Sequence, residues 1–513
     1  MMSLVENHAA ILVILAPLLA APLAMLFGHR GLAFLLSLAA SVCSFLLAVY
    51  LLLLVQNGAV LSYHIGGWAP PLGIEYRIDA ANALVLLIVS ALSVVVLPFA
   101  RTSIESEIAE KHHTLFYACF MLCFTGLMGV TITGDAFNVF VFLEISSLST
   151  YVLVALGAEK DRRALSAAYD YLILGTIGAT FFVIGLGLIY MATGTLNMVD
   201  LAERLSTMES NRTVRSAFAF IVIGLGLKLA IYPLHRWLPG AYTYAPSAVS
   251  AFLAATATKV AIYAVLRFMM SVFSIKFSFE QHTMTFIIFP FALIAMFAAS
   301  FIAVYQVNIK RMLAYSSIAQ IGYMLLGIAL FSTTGLSASL VHLFNHAVTK
   351  GALFLAVGAI IFRLGTPLAA NMAGMGKKMP WTSAAIVIGG LSLIGVPGTV
   401  GFVSKWVLLT AALEQGFWPI SMAIVLSSLI AVVYVWKFVE LLYLAPIDEK
   451  NTRANEAKEV PLSMLVPIWV LVLASIWFGF DAEFTVHVAN QAADSLFNGG
   501  FLKEAIIMGG EGR

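Results

Sequence analysis

From Ile11 to Phe480 the chain is a succession of apolar runs divided by short polar gaps. Most runs reach roughly 18 residues, enough for a helix to cross the hydrocarbon of a bilayer. The pattern predicts about 14 spans, near 9–27, 31–55, 80–100, 114–132, 136–156, 166–191, 216–233, 247–269, 284–304, 313–332, 337–362, 382–411, 416–444 and 460–480. Some gaps are almost absent, as at Gly28–Arg30 and Thr133–Asp135. Two are longer, Gln56–Asp79 and Thr193–Arg215, and are expected to hold small structures outside the membrane. An amphipathic segment lying on the surface is expected after Phe480. The fold class is therefore an all-α polytopic membrane protein.

Composition sharpens that reading. Hydrophobic residues make up 61% of the 513, charged residues only 11%, and the mean hydropathy is +0.97. A soluble domain needs more polar residues than this to cover its surface. A net charge of +2 excludes a polyanionic partner such as nucleic acid. Cys43, Cys119 and Cys123 all fall in apolar segments, so neither a disulfide framework nor a metal centre is expected. The opening MMSLVENHAA lacks the basic lead of a secretory signal, and the first apolar run is expected to be a retained span.

Lysine and arginine divide unevenly between the gaps. One side receives Arg30, Arg101, Lys111, Lys160, Arg162, Arg163, Arg236, Lys310, Arg311, Arg363, Lys377, Lys378, Lys450, Arg453 and Lys458. The other receives Arg77, Arg204, Arg212, Arg215, Lys276, Lys503 and Arg513, about half as many. The richer side is expected to be cytoplasmic, with both termini outward.

Against this background some residues are out of place. Glu144 sits in the middle of "GDAFNVFVFLEISSLSTYVLVALG", and Lys228 in "IGLGLKLAIYPLHRWLP". Lys259 is central in "SAVSAFLAATATKVAIYAVL"; His342, His346 and Lys350 share "LVHLFNHAVTKGALFL"; Lys405 follows a Pro-Gly pair in "GVPGTVGFVSKW". Ionisable groups inside spans are costly and usually mark a conduction path or a paired site. The plainer account is a structural ion pair, or a lysine snorkelling to the interface. Snorkelling is hard for Lys228 and Lys259, which have two or three turns of helix on either side. Lys437, Glu440, Lys310 and Arg311 lie at span ends and fit the plainer account, as interfacial anchors.

His342, His346 and Lys350 recur every fourth residue and so form one stripe on a helix face. Imidazole titrates near neutrality, so such a stripe can pass protons along a file of water. Two histidines four apart can also chelate a metal, but no acidic residue completes the set. Lys228 and Lys405 each have helix breakers close by: Pro233 and Pro239 for the first, Pro397, Gly398 and Gly401 for the second. Unwound backbone within a membrane is tolerated where it is buried in protein or lines a wet cavity, and paired interruptions point to transport sites. Glu144 is retained in the span if Lys228 is its counter-ion, since each opposes the desolvation of the other. Together these groups describe a proton path. There is no phosphate-binding loop, no hydrolytic carboxylate pair and no nucleophile with a base. Chemistry of its own, and a cofactor, are not expected.

The stretches "TGDAFNVFVFLEISSLSTYVL", "LKLAIYPLHRWLPGAYTYAPSAVSAFLAATATK", "NIKRMLAYSSIAQIGYML", "HLFNHAVTKGALFL" and "GVPGTVGFVSKW" resemble the antiporter-like subunits shared by Mrp-type Na+/H+ antiporters and respiratory complex I. Within that family the chain most resembles the D-subunit branch of the Mrp antiporters. The resemblance implies 14 helices, with a three-helix segment over 1–113 and two inverted five-helix repeats over 114–270 and 284–444. A last helix and tail occupy 445–513, and the seventh and twelfth helices are discontinuous. It makes Glu144 the essential glutamate and Lys228 its partner on the first broken helix. Lys259 becomes a central lysine, His342, His346 and Lys350 a stripe on the eleventh helix, and Lys405 the last titratable residue of the path.

Lysine at 405 fits the Mrp branch and also other complex I homologues, whereas one complex I homologue has glutamate there, so the residue separates the branches only in part. The chain is also too short for the largest of them, which continues into a long lateral helix. Asp170 departs from the family, which usually has lysine at that place; it reads either as a solvated end group or as a change at the intake of the path. The implied partners are other membrane subunits of a hetero-oligomeric complex, protons and a monovalent cation, in a prokaryotic plasma membrane. A membrane-arm subunit of a redox-driven dehydrogenase or hydrogenase, and a purely structural scaffold, are the competing readings. Which cation is exchanged is not written in the sequence.

Overall fold

The computed structural model describes residues 2–208, 211–273, 278–448 and 451–508. Lys276, Lys450 and Arg513, counted above for orientation, lie outside these. The chain opens with α1 (Met2–Phe27) and α2 (Arg30–Val55), then a hairpin of β1 (Leu61–His64) and β2 (Glu75–Ile78). Next come α3 (Ala80–Glu107), α4 (His113–Ile132), α5 (Ala136–Ala155), α6 (Arg163–Thr193) and the short α7 (Met198–Thr207). They are followed by α8 (Arg212–Leu229), α9 (Trp237–Tyr244), α10 (Ser247–Leu266), α11 (Ser278–Thr283), α12 (Phe289–Val304), α13 (Ile309–Ala329) and α14 (Thr333–Leu364). The remainder is α15 (Met375–Lys378), α16 (Pro380–Ile394), α17 (Val400–Glu414), α18 (Trp418–Tyr443), α19 (Thr452–Glu456), α20 (Leu462–Phe480), α21 (Glu483–Phe497) and β3 (Ile506–Ile507).

Among the described residues, 12 helices are long and apolar enough to cross a membrane. Two expected spans, near 216–233 and 382–411, are instead interrupted: the first becomes α8 and α9, the second α16 and α17. The expectation of 14 rests on counting each interrupted pair as one crossing. Arg236, assigned above to a polar gap, lies in the first interruption.

Burial sorts the helices into a core and a rim. In the apolar windows of α10 and α13, 94% of residues are buried, against 33% in α18 and α20. The 32-residue α14 runs through the middle and packs on α3, α10, α13, α16, α17, α20 and α21. Rim helices turn large apolar side chains such as Leu19, Leu46, Ile177 and Trp436 outward, as a lipid-facing or subunit-facing surface requires. Where α6 crosses α8, Gly178 and Gly224 let the backbones meet: a Cβ on Gly224 would stand 2.6 Å from the Gly178 carbonyl oxygen.

One end of the bundle carries a small sheet, ordered β2–β1–β3. β1 pairs antiparallel with β2 (Leu61 opposite Ile78) and parallel with β3 (Leu61 opposite Ile506). His8 Nδ1 lies 3.0 Å from Tyr63 Oη, so both termini gather at this end. The expected structures in the longer gaps are this hairpin and α7. The expected amphipathic tail is α21, whose face of Val488, Ala489, Ala492 and Leu496 packs on α3 and α14. Beneath the sheet, Arg267 Nη2 meets Asp79 Oδ1 at 2.8 Å and Arg77 Nη1 meets Glu75 Oε1 at 3.0 Å. The Phe501 ring lies under both guanidinium groups, at 4.2 Å from Arg267 and 5.2 Å from Arg77.

Candidate functional site: two broken helices and a buried row

The first interruption follows from its residues. Ala230 takes a left-handed conformation (φ 61°), which ends α8, and Pro233 cannot supply the amide a continuing helix needs. Pro239 is a correction to the sequence reading. It lies not in the break but in the first turn of α9, where a missing N–H costs nothing. Lys228 is therefore in the last turn of a half-helix, whose exposed carbonyls favour a cation. Its Nζ is 3.7 Å from Glu144 Oε1 and donates to Ser147 Oγ one turn further along α5. The expected Glu144–Lys228 pair is thus present. The two members differ in burial: the Lys228 side chain is 6% exposed, the Glu144 side chain 26%. Trp237 ties the break together, donating from Nε1 to the Leu227 carbonyl at 2.9 Å.

The second interruption places its lysine differently. α16 ends at Gly395 (φ 94°), Pro397 and Gly398 (φ 86°) form the link, and Val400 begins α17. Gly401 belongs to the helix rather than the link, and its role is close approach. A Cβ there would collide with the Ser392 carbonyl oxygen. Lys405, one turn into α17, reaches back and donates to the last carbonyls of α16, Leu393 at 3.0 Å and Ile394 at 2.8 Å. Its Nζ also lies 4.9 Å from the centre of the Tyr323 ring. Lys405 has no carboxylate partner among the described residues.

Between the breaks run α10 and α14, two of the most buried helices. Lys259 is fully enclosed and donates to the Ala254 carbonyl at 2.5 Å. Lys350, equally enclosed, donates to the Leu313 carbonyl at 3.0 Å and to Ser316 Oγ. The His342 and His346 rings stack at 6.1 Å with an interplanar angle of 6°, as the four-residue spacing requires. α14 is laced to the second break by His342 Nδ1 to Ser404 Oγ (2.8 Å), Asn345 Nδ2 to the Val400 carbonyl (2.5 Å) and Thr349 Oγ1 to Ser392 Oγ (2.8 Å).

His346, His342, Tyr323 and Lys405 thus form one chain of contacts, with Lys259 on the neighbouring α10. No hydrogen bond or ion pair among the described residues joins it to Lys228. Both ring nitrogens of His346, Nε2 of His342 and Oδ1 of Asn345 are buried without a protein partner, and buried polar atoms in this condition are the ones that take water. Asp170 is exposed on α6 and forms no ion pair among the described residues.

Sequence reasoning missed several members. Ser147 and Ser316 each receive a lysine ammonium, and the signal for them was a serine pair in an apolar span, "EISSL" and "AYSSI". Tyr323, in the middle of α13, was not singled out; it lies between Lys405 and His342, 5.7 Å from the imidazole. Lys310 is a correction: Arg311 is exposed, but Lys310 is only 4% exposed and donates to the Ala245 carbonyl at 2.5 Å. It is a buried cation on a cavity that Glu107 also lines, rather than an interfacial anchor.

Outside the spans, burial raises the Asp79 carboxyl pKa, but the charge and hydrogen bond of Arg267 outweigh it and hold the group below the usual carboxylate range. Asp200 behaves alike, with desolvation outweighed by the hydrogen bond and charge of Arg204. At the opposite end the hydrogen bonds from Arg163 lower the pKa of Asp161.

A family profile described as NADH:quinone oxidoreductase/Mrp antiporter, TM, matches residues 133–431, which include every ionisable residue of the row and both breaks. Over 505 residues the chain is 37% identical to NADH-quinone oxidoreductase subunit N of Desulforudis audaxviator, covering 94% of this chain and 98% of that one. Over 502 residues it is 31% identical to the D subunit of the Na(+)/H(+) antiporter of Alkalihalophilus pseudofirmus, covering 98% and 99%. A chain of the Mrp complex from Dietzia sp. DQ12-45-1b superposes with a TM-score of 0.87 at 25% identity, over 97% of this chain and 100% of that one.

Proposed function

This chain belongs to the NADH:quinone oxidoreductase/Mrp antiporter family of membrane subunits, and on that premise we propose that it is the proton-translocating subunit of a multisubunit Mrp-type monovalent cation (Na+)/H+ antiporter. The observation that carries the reading is the Glu144–Lys228 pair at the first break, with buried Lys259, His346, His342 and Lys405 on α10, α14 and α17, which pack in that order from α8. Proton loading at one member of the row repels the charge on the next. Opening the pair changes which of its members holds the proton. Protons then pass between two half-channels, one at each interrupted helix. A unit charge moved through the full membrane potential is worth about 2.3 kcal/mol per 100 mV, which suffices to drive exchange of another cation.

The packing order supports a repeated architecture over 114–270 and 284–444. α4 packs on α5, α5 on α6 and α6 on α8, while α12 packs on α13, α13 on α14 and α14 on α16 and α17. Other membrane subunits are the expected partners, and the membrane is the prokaryotic plasma membrane with the sheet end outward. The D-subunit relative and the Mrp complex superposition support the antiporter. The higher identity to a subunit N favours a second reading, a membrane-arm subunit of a redox-driven complex, which would use the same row.

The test is transport by the purified complex in sealed vesicles. Glu144→Ala is expected to abolish cation-driven proton movement with the complex still assembled; wild-type rates in that variant would overturn the assignment. Mass identification of the co-purifying subunits separates the two readings, because iron–sulfur or flavin subunits accompany only the second.

A further inference from the structure

At the end of the bundle opposite the sheet lies a cavity of about 460 Å³ that the proton row does not use. It is framed by the starts of α6, α10 and α13 and by the ends of α3, α9 and α14. Its charged lining is unbalanced: Lys160, Arg163, Lys310, Arg363 and Arg453 against Glu107 and Asp161. Both carboxylates are already engaged. Asp161 Oδ2 is 2.6 Å from Arg163 Nη2, and Glu107 accepts from the Ser247 amide at 2.6 Å and the Ser103 hydroxyl at 3.2 Å. Lys160, Arg363 and Arg453 form no ion pair with a carboxylate among the described residues. Nη2 of Arg363 donates to the Glu459 carbonyl, but its Nε is buried with no hydrogen-bond partner among the described residues.

The backbone adds to the same field. Three helices of 20 residues or more begin at this cavity, each presenting its positive dipole end. Three helices also end here, α3, α9 and α14, and Arg453 covers the last: its Nη1 lies 3.4 Å from the Leu364 carbonyl. Gly365 (φ 75°) makes room for that guanidinium, since a Cβ there would collide with Nη1. Ile361, Phe362, Pro367 and Leu368 give the cavity an apolar wall. A basic pocket between helices with an apolar side is the form that binds phosphate-bearing headgroups.

We infer that this cavity is a binding site for a phosphate-bearing anion, supplied either by the headgroup of an anionic phospholipid or by free phosphate. The guanidinium of Arg363 and the Lys160 ammonium hold the anion, the helix starts orient it, and the apolar wall takes the first carbons of a lipid chain.

The test is titration of the intact complex in detergent with phosphatidylglycerol, phosphatidylcholine or inorganic phosphate, read by native mass spectrometry. Phosphatidylglycerol is expected to saturate at one copy per chain at this site, with phosphatidylcholine at least about tenfold weaker. Reversing the charges in Lys160→Glu/Arg453→Glu should weaken the anion about tenfold or more, while Lys160→Arg/Arg453→Lys preserves it. Displacement of the lipid by millimolar inorganic phosphate identifies the free ion as the source; resistance to it identifies the lipid. Equal binding of both lipids, or unchanged binding in the charge-reversed variant, overturns the site. If the double variant does not assemble, Lys160→Glu alone decides: Lys160 is exposed, so its substitution leaves the fold intact, and undiminished binding refutes the proposal.

Discussion

The two broken helices solve one problem in opposite ways. Each must hold an ammonium ion inside an apolar bundle. The first does so with a carboxylate from another helix: Lys228 faces Glu144 at 3.7 Å and takes a hydroxyl from the same helix. The second has no carboxylate; Lys405 is solvated by two carbonyls that the break itself has freed, and by the face of Tyr323. A pair can be opened or closed, and its charge state depends on a neighbour that moves separately. A lysine bound to its own broken backbone carries its counter-dipole with it. The first break is suited to gating and the second to holding a proton at a fixed depth.

Four experiments break or sharpen this contrast. The largest effect is expected from Glu144→Gln, which leaves Lys228 with only a hydroxyl; transport should fall at least about a hundredfold, within the usual range for a lost proton-transfer group. Initial rates in vesicles check it, with assembly confirmed by size exclusion. Next, Gly401→Ala should disrupt the second break, because the added carbon meets backbone and not a side chain that can turn away. A loss of about 3 kcal/mol or more, or failure to assemble, is expected in a thermal melt.

Smaller is the effect of acid on the sheet end. The Asp79 pKa is depressed in the folded chain, so its contribution to stability is complete above about pH 4 and is lost as the pH falls through the lower folded value. Acid melts should show the wild type losing stability in that window, while Asp79→Asn, already destabilised at neutral pH, loses less there. The smallest is a gain: Ala230→Gly relieves the left-handed residue at the first break and should stabilise by about 1 kcal/mol. A change at the same scale in the opposite direction would mean that the break draws on the alanine methyl for packing.

Much of this was legible in the sequence. Apolar period and length gave the helices, because bilayer thickness leaves a chain little choice, and an intramembrane charge is conspicuous wherever it occurs. Glu144 and Lys228 could be paired on residue type and depth, since neither had another answer to desolvation. What escaped were roles set by distant contacts. Lys310 has the local sequence of an interfacial anchor; only the Ala245 carbonyl, 65 residues away, makes it a core cation. Pro239 looks like a breaker until the helix is seen to start two residues before it. Tyr323 carries no mark in sequence that separates it from an interfacial tyrosine. The serine pairs were visible, but a hydroxyl in a span is usually satisfied by its own helix, and nothing local shows that Ser147 and Ser316 also serve lysines from other helices.

The parallel strand at the C-terminus has a consequence for biosynthesis. Leu61 and Ser62 emerge from the ribosome hundreds of residues before Ile506 and Ile507, the partners that complete their sheet. Until residues 501–507 are made, that edge and the two arginines stacked on Phe501 stay uncovered, so a nascent chain can insert its helices but cannot close this end. A chain lacking residues 501–507 would keep its bundle and lose the cover of this end.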